Sequence, residues 1–142
     1  MTCCVVDASI AVKWFVPEPH AINASRLLDG SFELLAPDLI LPEFGNVLWK
    51  KWRRDEITAG FAIGIIEDFR RLSIHHYDSE LFFGEAWSIA ERFGRSFYDS
   101  LYLAIAKAEG CPLVTADLKL YNALKNGRLK KHVLWVEDIP DA

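Results

Sequence analysis

The sequence predicts an α/β protein with three layers, in which helices cover both faces of a central parallel sheet of about five strands. Short apolar segments alternate with segments whose apolar residues recur at helical spacing along the 142 residues. No two-residue hairpin pattern joins neighbouring strand segments, so crossovers through helices are expected. The strand segments 3–6 and 113–114 are wholly apolar, as is typical of central strands buried on both faces.

Each element follows from apolar periodicity and from the glycines and prolines that interrupt it. Gly30, Gly94 and Gly110 are expected to end helices, and Pro17 and Pro37 to end the segments before them. Strands are predicted at 3–6, 34–36, 74–77, 112–116 and 132–136. Helices are predicted at 8–15, 20–28, 42–54, 58–72, 79–93, 97–109 and 118–125.

Composition indicates an ordinary soluble protein, with 51% apolar and 25% charged residues. We expect one domain over 1–142. The longest uncharged stretch, Ile57 to Ile66, is too short to span a membrane. The N-terminus lacks a basic region, and three cysteines argue against a disulfide framework or a thiolate zinc site. We therefore expect a cytoplasmic protein in which Cys3, Cys4 and Cys111 are small buried apolar residues.

Four acidic residues lie where the predicted elements join. Asp7 follows the first strand, Asp117 follows the fourth, and Glu43 begins the helix after the second. The carboxyl ends of parallel strands share one edge of a sheet, where open α/β folds bind ligands. Asp99 reaches that edge if its helix begins near Phe97.

Helix capping is the alternative explanation for each of these acids. Carboxylates stabilise helix N-termini, and the residues from Ser96 to Asp99 approximate a capping box. Caps have no need to converge, however, whereas acids gathered at one edge repel each other unless a cation binds among them. An all-oxygen ligand set favours Mg²⁺ or Mn²⁺ over zinc.

Four segments carry a resemblance to a known family. They are Val5-Val6-Asp7-Ala8-Ser9 with Trp14 and Pro17-Glu18-Pro19, Pro42-Glu43-Phe44-Gly45-Asn46-Val47-Leu48, Tyr98-Asp99-Ser100-Leu101-Tyr102-Leu103-Ala104, and Leu113-Val114-Thr115-Ala116-Asp117. In this order and spacing they resemble the PIN-domain ribonucleases of the VapC toxin type, over nearly the whole chain.

The resemblance implies a metal-dependent endoribonuclease, the toxin of a type II toxin–antitoxin pair. It implies that Asp7, Glu43, Asp99 and Asp117 bind Mg²⁺ or Mn²⁺ and carry catalysis. It implies polar supporting groups at Ser9, Asn46 and Thr115. It further implies an RNA substrate, a small antitoxin partner and a homodimer.

Two alternatives remain open from the residues. A PIN-like module could bind RNA or protein without catalysis, although the complete set of four acids argues against it. An aspartyl-phosphate phosphotransfer domain needs a second acid beside the first, whereas Ala8 and Ser9 follow Asp7.

Net charge and aromatic residues indicate which partners, RNA or another protein chain, the protein could bind. The net charge of −4 disfavours a polyanion, but basic residues cluster at 50–54, 70–71 and 119–131, where they either hold an RNA backbone or form solvated helix faces. We expect Trp14 with Phe15, and Trp49 with Trp52, to present apolar surface to a partner chain. No role is assigned to His75 and His76, since strand neighbours point to opposite faces.

Overall fold

The computed structural model describes residues 2–140. A five-stranded sheet has the order β3-β2-β1-β4-β5, and every pair of neighbouring strands is parallel. The predicted class is therefore confirmed, and β1 is central as expected. The strands are β1 Thr2–Val6, β2 Phe32–Pro37, β3 Ile74–Tyr77, β4 Leu113–Thr115 and β5 Val133–Trp135.

Seven α-helices connect and flank these strands within residues 2–140. They are α1 Ala8–Val12, α2 Ala21–Ser25, α3 Ile40–Arg53, α4 Ala59–Arg70, α5 Phe83–Phe93, α6 Phe97–Glu109 and α7 Leu118–Leu124. α6 has the predicted bounds, and the left-handed residues Gly94 and Gly110 end α5 and α6 as expected. The ends of the other helices differ from the predicted ends by a few residues.

Two of the boundary differences have local causes. α3 begins at Ile40, two residues before the predicted start, because Pro42 lies in its first turn, where no backbone N–H is needed. The segment predicted as one helix over 79–93 divides into a 3₁₀ helix, Ser79–Phe82, and α5. Asp78 caps the 3₁₀ helix through the Glu80 N–H, at 3.1 Å.

Two apolar cores fill the space on the two faces of the sheet. Cys4 and Val6 of β1 pack into the core formed with α1, α3 and α4. Val5, between them, packs into the core formed with α5, α6 and α7. This alternation is what a strand covered on both sides requires, and it confirms the three-layer arrangement.

The structure contradicts the expectation that Trp14 and Phe15 face a partner. α1 ends at Val12, and the turn after it folds both side chains against the core. The indole N–H of Trp14 donates to the Ala24 carbonyl at 2.9 Å. Phe15 meets the Phe44 ring edge-on, with 6.0 Å between centroids. Both aromatic residues are structural.

The cysteines also differ from expectation, because Cys3 and Cys111 form a disulfide. Counting three cysteines was misleading, since a single pair and one buried free thiol, Cys4, account for them. The two partners are 108 residues apart in sequence, but Cys3 is the second residue of β1 and Cys111 lies two residues before the adjacent β4. Their Cα atoms are 5.6 Å apart, within the ordinary range for a disulfide.

No helix within residues 2–140 is long and apolar enough to cross a membrane. The helices lie instead on the sheet, whose carboxyl edge collects the ends of β1 and β4 side by side: Val5 pairs with Leu113, and Val6 with Val114. The residues that follow these two strands are consequently brought together, and the acids predicted for a functional site are among them.

Candidate active site

Asp7 and Asp117 follow the two adjacent central strands and cap the helices that begin there. The Asp7 Oδ1 accepts from the Ile10 N–H at 2.9 Å, at the start of α1. The Asp117 Oδ1 accepts from the Leu120 N–H at 3.2 Å, at the start of α7. Capping therefore accounts for one oxygen of each carboxylate, and the second oxygen is free of that task.

Glu43 and Asp99 are not caps. Ser96 caps α6 by accepting from the Asp99 N–H at 3.0 Å, so the Asp99 side chain is not needed for that purpose. Glu43 lies in the first turn of α3, and its Oε1 accepts from the Tyr102 hydroxyl at 2.7 Å. The explanation that all four acids are merely caps is thus wrong for these two.

All four carboxylate residues line one cavity of about 280 Å³ at the carboxyl edge of the sheet. Ser9 and Thr115 line it as well. Thr115 is fully buried and its hydroxyl accepts from the Asp117 N–H at 3.0 Å, which fixes the turn carrying that acid. Asn46 is exposed on α3 and is not among the lining residues.

The acids of this cavity raise one another's pKa values. Burial raises the pKa of Asp7 to about 7, and the charges of Glu43 and Asp99 add to that effect. Burial also raises the pKa of Glu43, which the charge of Asp99 reinforces and the Tyr102 hydroxyl opposes. Such clustered, shifted carboxyl groups in a cavity are typical of functional sites.

Asp99 links the first three acids to Asp117. Burial raises the Asp99 pKa, and the neighbouring Asp117 charge raises it further. The Ser96 side chain and the Arg95 guanidinium act in the opposite direction. The electrostatic coupling therefore runs through the whole set of four.

Sequence reasoning missed three residues of this site. Lys13 lines the cavity, and Tyr102 lines it while holding Glu43. Arg95 acts electrostatically on Asp99, and its buried Nε has no hydrogen-bond partner within residues 2–140. Tyr102 could have been found, because it follows Asp99 by three residues and so shares its helix face. The sequence carries no comparable indication for the other two.

The donor chemistry fits a hard divalent cation. Within the part of the chain that the structure describes, no three His, Cys, Asp or Glu side chains form a ready-made ligand cluster. The acids surround the cavity rather than meeting at one point. This arrangement suits Mg²⁺, which binds through one or two carboxylates and keeps several waters. Mutual repulsion among the carboxylates supplies the electrostatic reason for a cation to bind.

Two of the three basic clusters are engaged with acids. Lys51 contacts Glu18 at 2.6 Å, and Arg70 and Arg71 pair with acids one turn earlier on α4. The third cluster, 119–131, begins on α7 two residues after Asp117. Leu120, next to Lys119 in this segment, lines the acidic cavity.

The two remaining tryptophans of the expected partner surface are exposed. Trp49 and Trp52 are 54% and 44% exposed and lie on α3. With Ile63 of α4, which is 63% exposed, they line an apolar groove between the two helices. This part of the expectation is compatible with the structure. His75 and His76 are both exposed on β3.

Fold and cavity together define an α/β protein with an acidic site at the carboxyl edge of a parallel sheet. The PIN-domain family profile matches residues 4–125. Ribonuclease VapC3 of Pyrobaculum aerophilum is 34% identical over 120 residues, which cover 82% of this chain and 90% of that protein. The chain belongs to the PIN-domain family, in the group that contains the VapC ribonucleases.

Solved structures have the same fold. PAE2754 from Pyrobaculum aerophilum superposes with a TM-score of 0.69 at 24% identity, covering 96% of this chain and 92% of that one. A chain of a toxin–antitoxin complex from Klebsiella pneumoniae gives a TM-score of 0.62 at 11% identity, covering 96% and 99%. The predicted PIN-like architecture is confirmed.

Proposed function

We propose that this protein is a metal-dependent endoribonuclease that hydrolyses RNA phosphodiester bonds as the toxin of a toxin–antitoxin pair. The observation that carries the proposal is the single cavity lined by Asp7, Glu43, Asp99 and Asp117. Membership of the PIN-domain family and the similarity to Ribonuclease VapC3 support it. The proposed site of action is the cytoplasm.

The four carboxylates would hold Mg²⁺ or Mn²⁺. When bound, the cation would stabilise charge on the scissile phosphate and make an attacking water more acidic. The protein's own groups orient the site: Tyr102 fixes one oxygen of Glu43, and Thr115 fixes the turn before Asp117. Ser9 is proposed to assist as a polar group at the cavity wall, and Asn46 from its exposed position on α3.

The first test is cleavage of labelled RNA by purified protein with Mg²⁺ or Mn²⁺ and with EDTA. We expect cleavage only with the cation.

Asp99→Asn should reduce the rate at least about 100-fold, because an interaction worth a few kcal/mol in the transition state is lost. Its helix should persist, since Ser96 provides the cap. Melting temperature and circular dichroism in EDTA check the fold.

Asp68→Asn is the matched control, because Asp68 is an exposed acid of α4 that pairs with Arg71 at 3.7 Å. It should cleave at the wild-type rate. Undiminished cleavage in EDTA would exclude the metal-dependent mechanism. A folded wild-type protein that binds RNA without cutting it would instead be the non-catalytic module.

For the protein partner, we propose that the groove formed by Trp49, Trp52 and Ile63 binds an apolar face of the small antitoxin. Exposed aromatic residues lining a groove are unusual in a protein without a partner there. We also propose that the protein forms a homodimer, for which exposed Leu81 and Trp87, 79% and 63% exposed, offer further apolar surface.

A further inference from the structure

Lys13 places a positive charge inside the acidic cavity. It follows α1 directly, its side chain is only 11% exposed, and it lines the same cavity as the four acids. It is the sole lysine or arginine among the cavity-lining residues that the structure describes. A largely buried lysine needs a reason, because the ordinary place of its ammonium is in water.

Glu18 holds the Lys13 ammonium in position. The Lys13 Nζ donates to Glu18 Oε1 at 3.1 Å, while Lys51 Nζ donates to Glu18 Oε2 at 2.6 Å. One carboxylate thus serves two ammonium groups, and Lys51 has a longer contact with Glu56, at 3.8 Å. The Lys13 ammonium is therefore held by the Glu18 carboxylate, which also accepts from Lys51.

The Lys13 ammonium has donors to spare. An ammonium carries three N–H groups, and Glu18 is its only hydrogen-bonding partner within residues 2–140. Lys13 is also close enough to Asp7 to act on its charge. The remaining donors are thus available at a cavity whose proposed substrate is an anion.

We infer that the Lys13 ammonium contacts a non-bridging oxygen of an RNA phosphate bound in the acidic cavity, and that Glu18 is the residue that positions it. The inference rests on the proposed ribonuclease function. A phosphodiester entering among four carboxylates meets repulsion, which a fixed cation at the cavity wall offsets. Lysine suits this role as a compact point charge for phosphate.

A purely structural ion pair would explain the same contacts, and Lys51 provides the matched control. Lys51 is buried to a similar extent, 14% exposed against 11%, and pairs with the same Glu18. It lies outside the acidic cavity. Lys13→Met and Lys51→Met therefore each break an ion pair with Glu18, but only the first removes a charge from the cavity.

The experiment measures RNA affinity against salt concentration by fluorescence anisotropy, in an Asp99→Asn background so that RNA is not cut. Lys13→Met should weaken binding about tenfold. It should reduce the slope of log affinity against log salt by about 0.7, the value for one phosphate contact to a single strand. Lys51→Met should keep both the affinity and the slope, and Lys13→Arg should restore most of the affinity.

A second measurement follows the affinity for the cation, which should change in the opposite direction to the affinity for RNA. Removing a positive charge beside Asp7 should tighten cation binding, so Lys13→Met should lower the Mn²⁺ concentration that half-saturates the melting shift. Unchanged affinity and slope in Lys13→Met, or equal changes in Lys51→Met, would overturn the role of Lys13. Absence of cleavage by the wild type would overturn the ribonuclease function, while the salt slope still decides the phosphate contact.

Discussion

Asp7 combines two roles within one carboxylate. One oxygen caps α1 through the Ile10 N–H, and the residue also lines the acidic cavity. Its pKa is raised to about 7, first by burial and then by the charges of Glu43 and Asp99. The unpaired negative charge is therefore unfavourable in the folded protein, and either a proton or a cation relieves it.

This predicts a definite pH dependence of the metal-free protein. Between its ordinary pKa of 3.8 and about 7, Asp7 holds a proton when folded that the unfolded chain has released. The associated stability is complete below the lower value and is lost as the pH rises through about 7. From pH 5 to 8, wild type should lose about 2 to 3 kcal/mol more than Asp7→Asn, since one pKa unit corresponds to about 1.4 kcal/mol.

Urea unfolding of both proteins in EDTA at the two pH values measures this difference. Asp7→Asn is a clean comparison because asparagine can still accept the capping hydrogen bond. Mn²⁺ should act in the opposite direction, raising the melting temperature more at pH 8 than at pH 6, because it binds the ionised carboxylate. Parallel pH profiles for wild type and Asp7→Asn would contradict the prediction.

The convergence of Asp7, Glu43 and Asp117 on one cavity could be predicted because their positions follow from strand ends. Asp99 joins them because its helix begins at Phe97, as predicted. Lys13 could not be predicted, since its burial depends on where α1 stops and on the distant partner Glu18. The supporting role of Asn46 stays a prediction, because Asn46 is exposed on α3 and is not among the residues that line the cavity.

Helix α3 carries two separate surfaces. Its first turn brings Glu43 to the acidic cavity, whereas Trp49 and Trp52, toward its other end, form the apolar groove with α4. Arg53 lies over the Trp49 ring at 5.8 Å. We therefore expect that substitutions along this one helix can separate the proposed catalysis from the proposed antitoxin binding.

We expect Trp49→Ala and Trp52→Ala each to weaken antitoxin binding about 30-fold or more, the loss typical of a central aromatic contact. RNA cleavage without antitoxin should stay at the wild-type rate. Isothermal titration with the purified antitoxin measures the affinity. Ile22→Ala is the control, because Ile22 is 83% exposed on α2, outside the groove. An equal loss in that variant would place the antitoxin elsewhere.

The order and type of the elements could be predicted because alternating strands and helices leave a clear apolar period. Helix ends were harder, since α1 stops at Val12 although the apolar pattern continues through Trp14 and Phe15. Those two side chains enter the core from a turn, which periodicity alone cannot distinguish from another helical turn. The exposure of Trp49 and Trp52 was predicted correctly because they repeat on a long, regular helix, and their contact with a partner stays a prediction.

The disulfide between Cys3 and Cys111 acts on the molecule as a whole. It joins Cys3, near the start of β1, to Cys111, two residues before β4, and closes most of the chain into one loop, with a sequence separation of 108. Pairing could not be predicted from the sequence, because it depends on which strands become neighbours. Asp7 and Asp117 follow the other ends of these same two strands.

Removing this disulfide should therefore lower stability and leave the site intact. A loop of about 100 residues corresponds to about 4.7 kcal/mol in the chain-entropy treatment, and native disulfides typically contribute about 2 to 5. We expect Cys3→Ser to melt roughly 10 °C below the oxidised wild type. Reductant should lower the wild-type melting temperature similarly and leave that of Cys3→Ser unchanged, so the variant serves as its own control. RNA cleavage per folded molecule should stay the same at 25 °C, since Cys3 lies near the start of β1 and Asp7 follows its end, about 13 Å away at about 3.3 Å per residue. Equal melting of wild type with and without reductant would mean that this disulfide does not stabilise the folded protein.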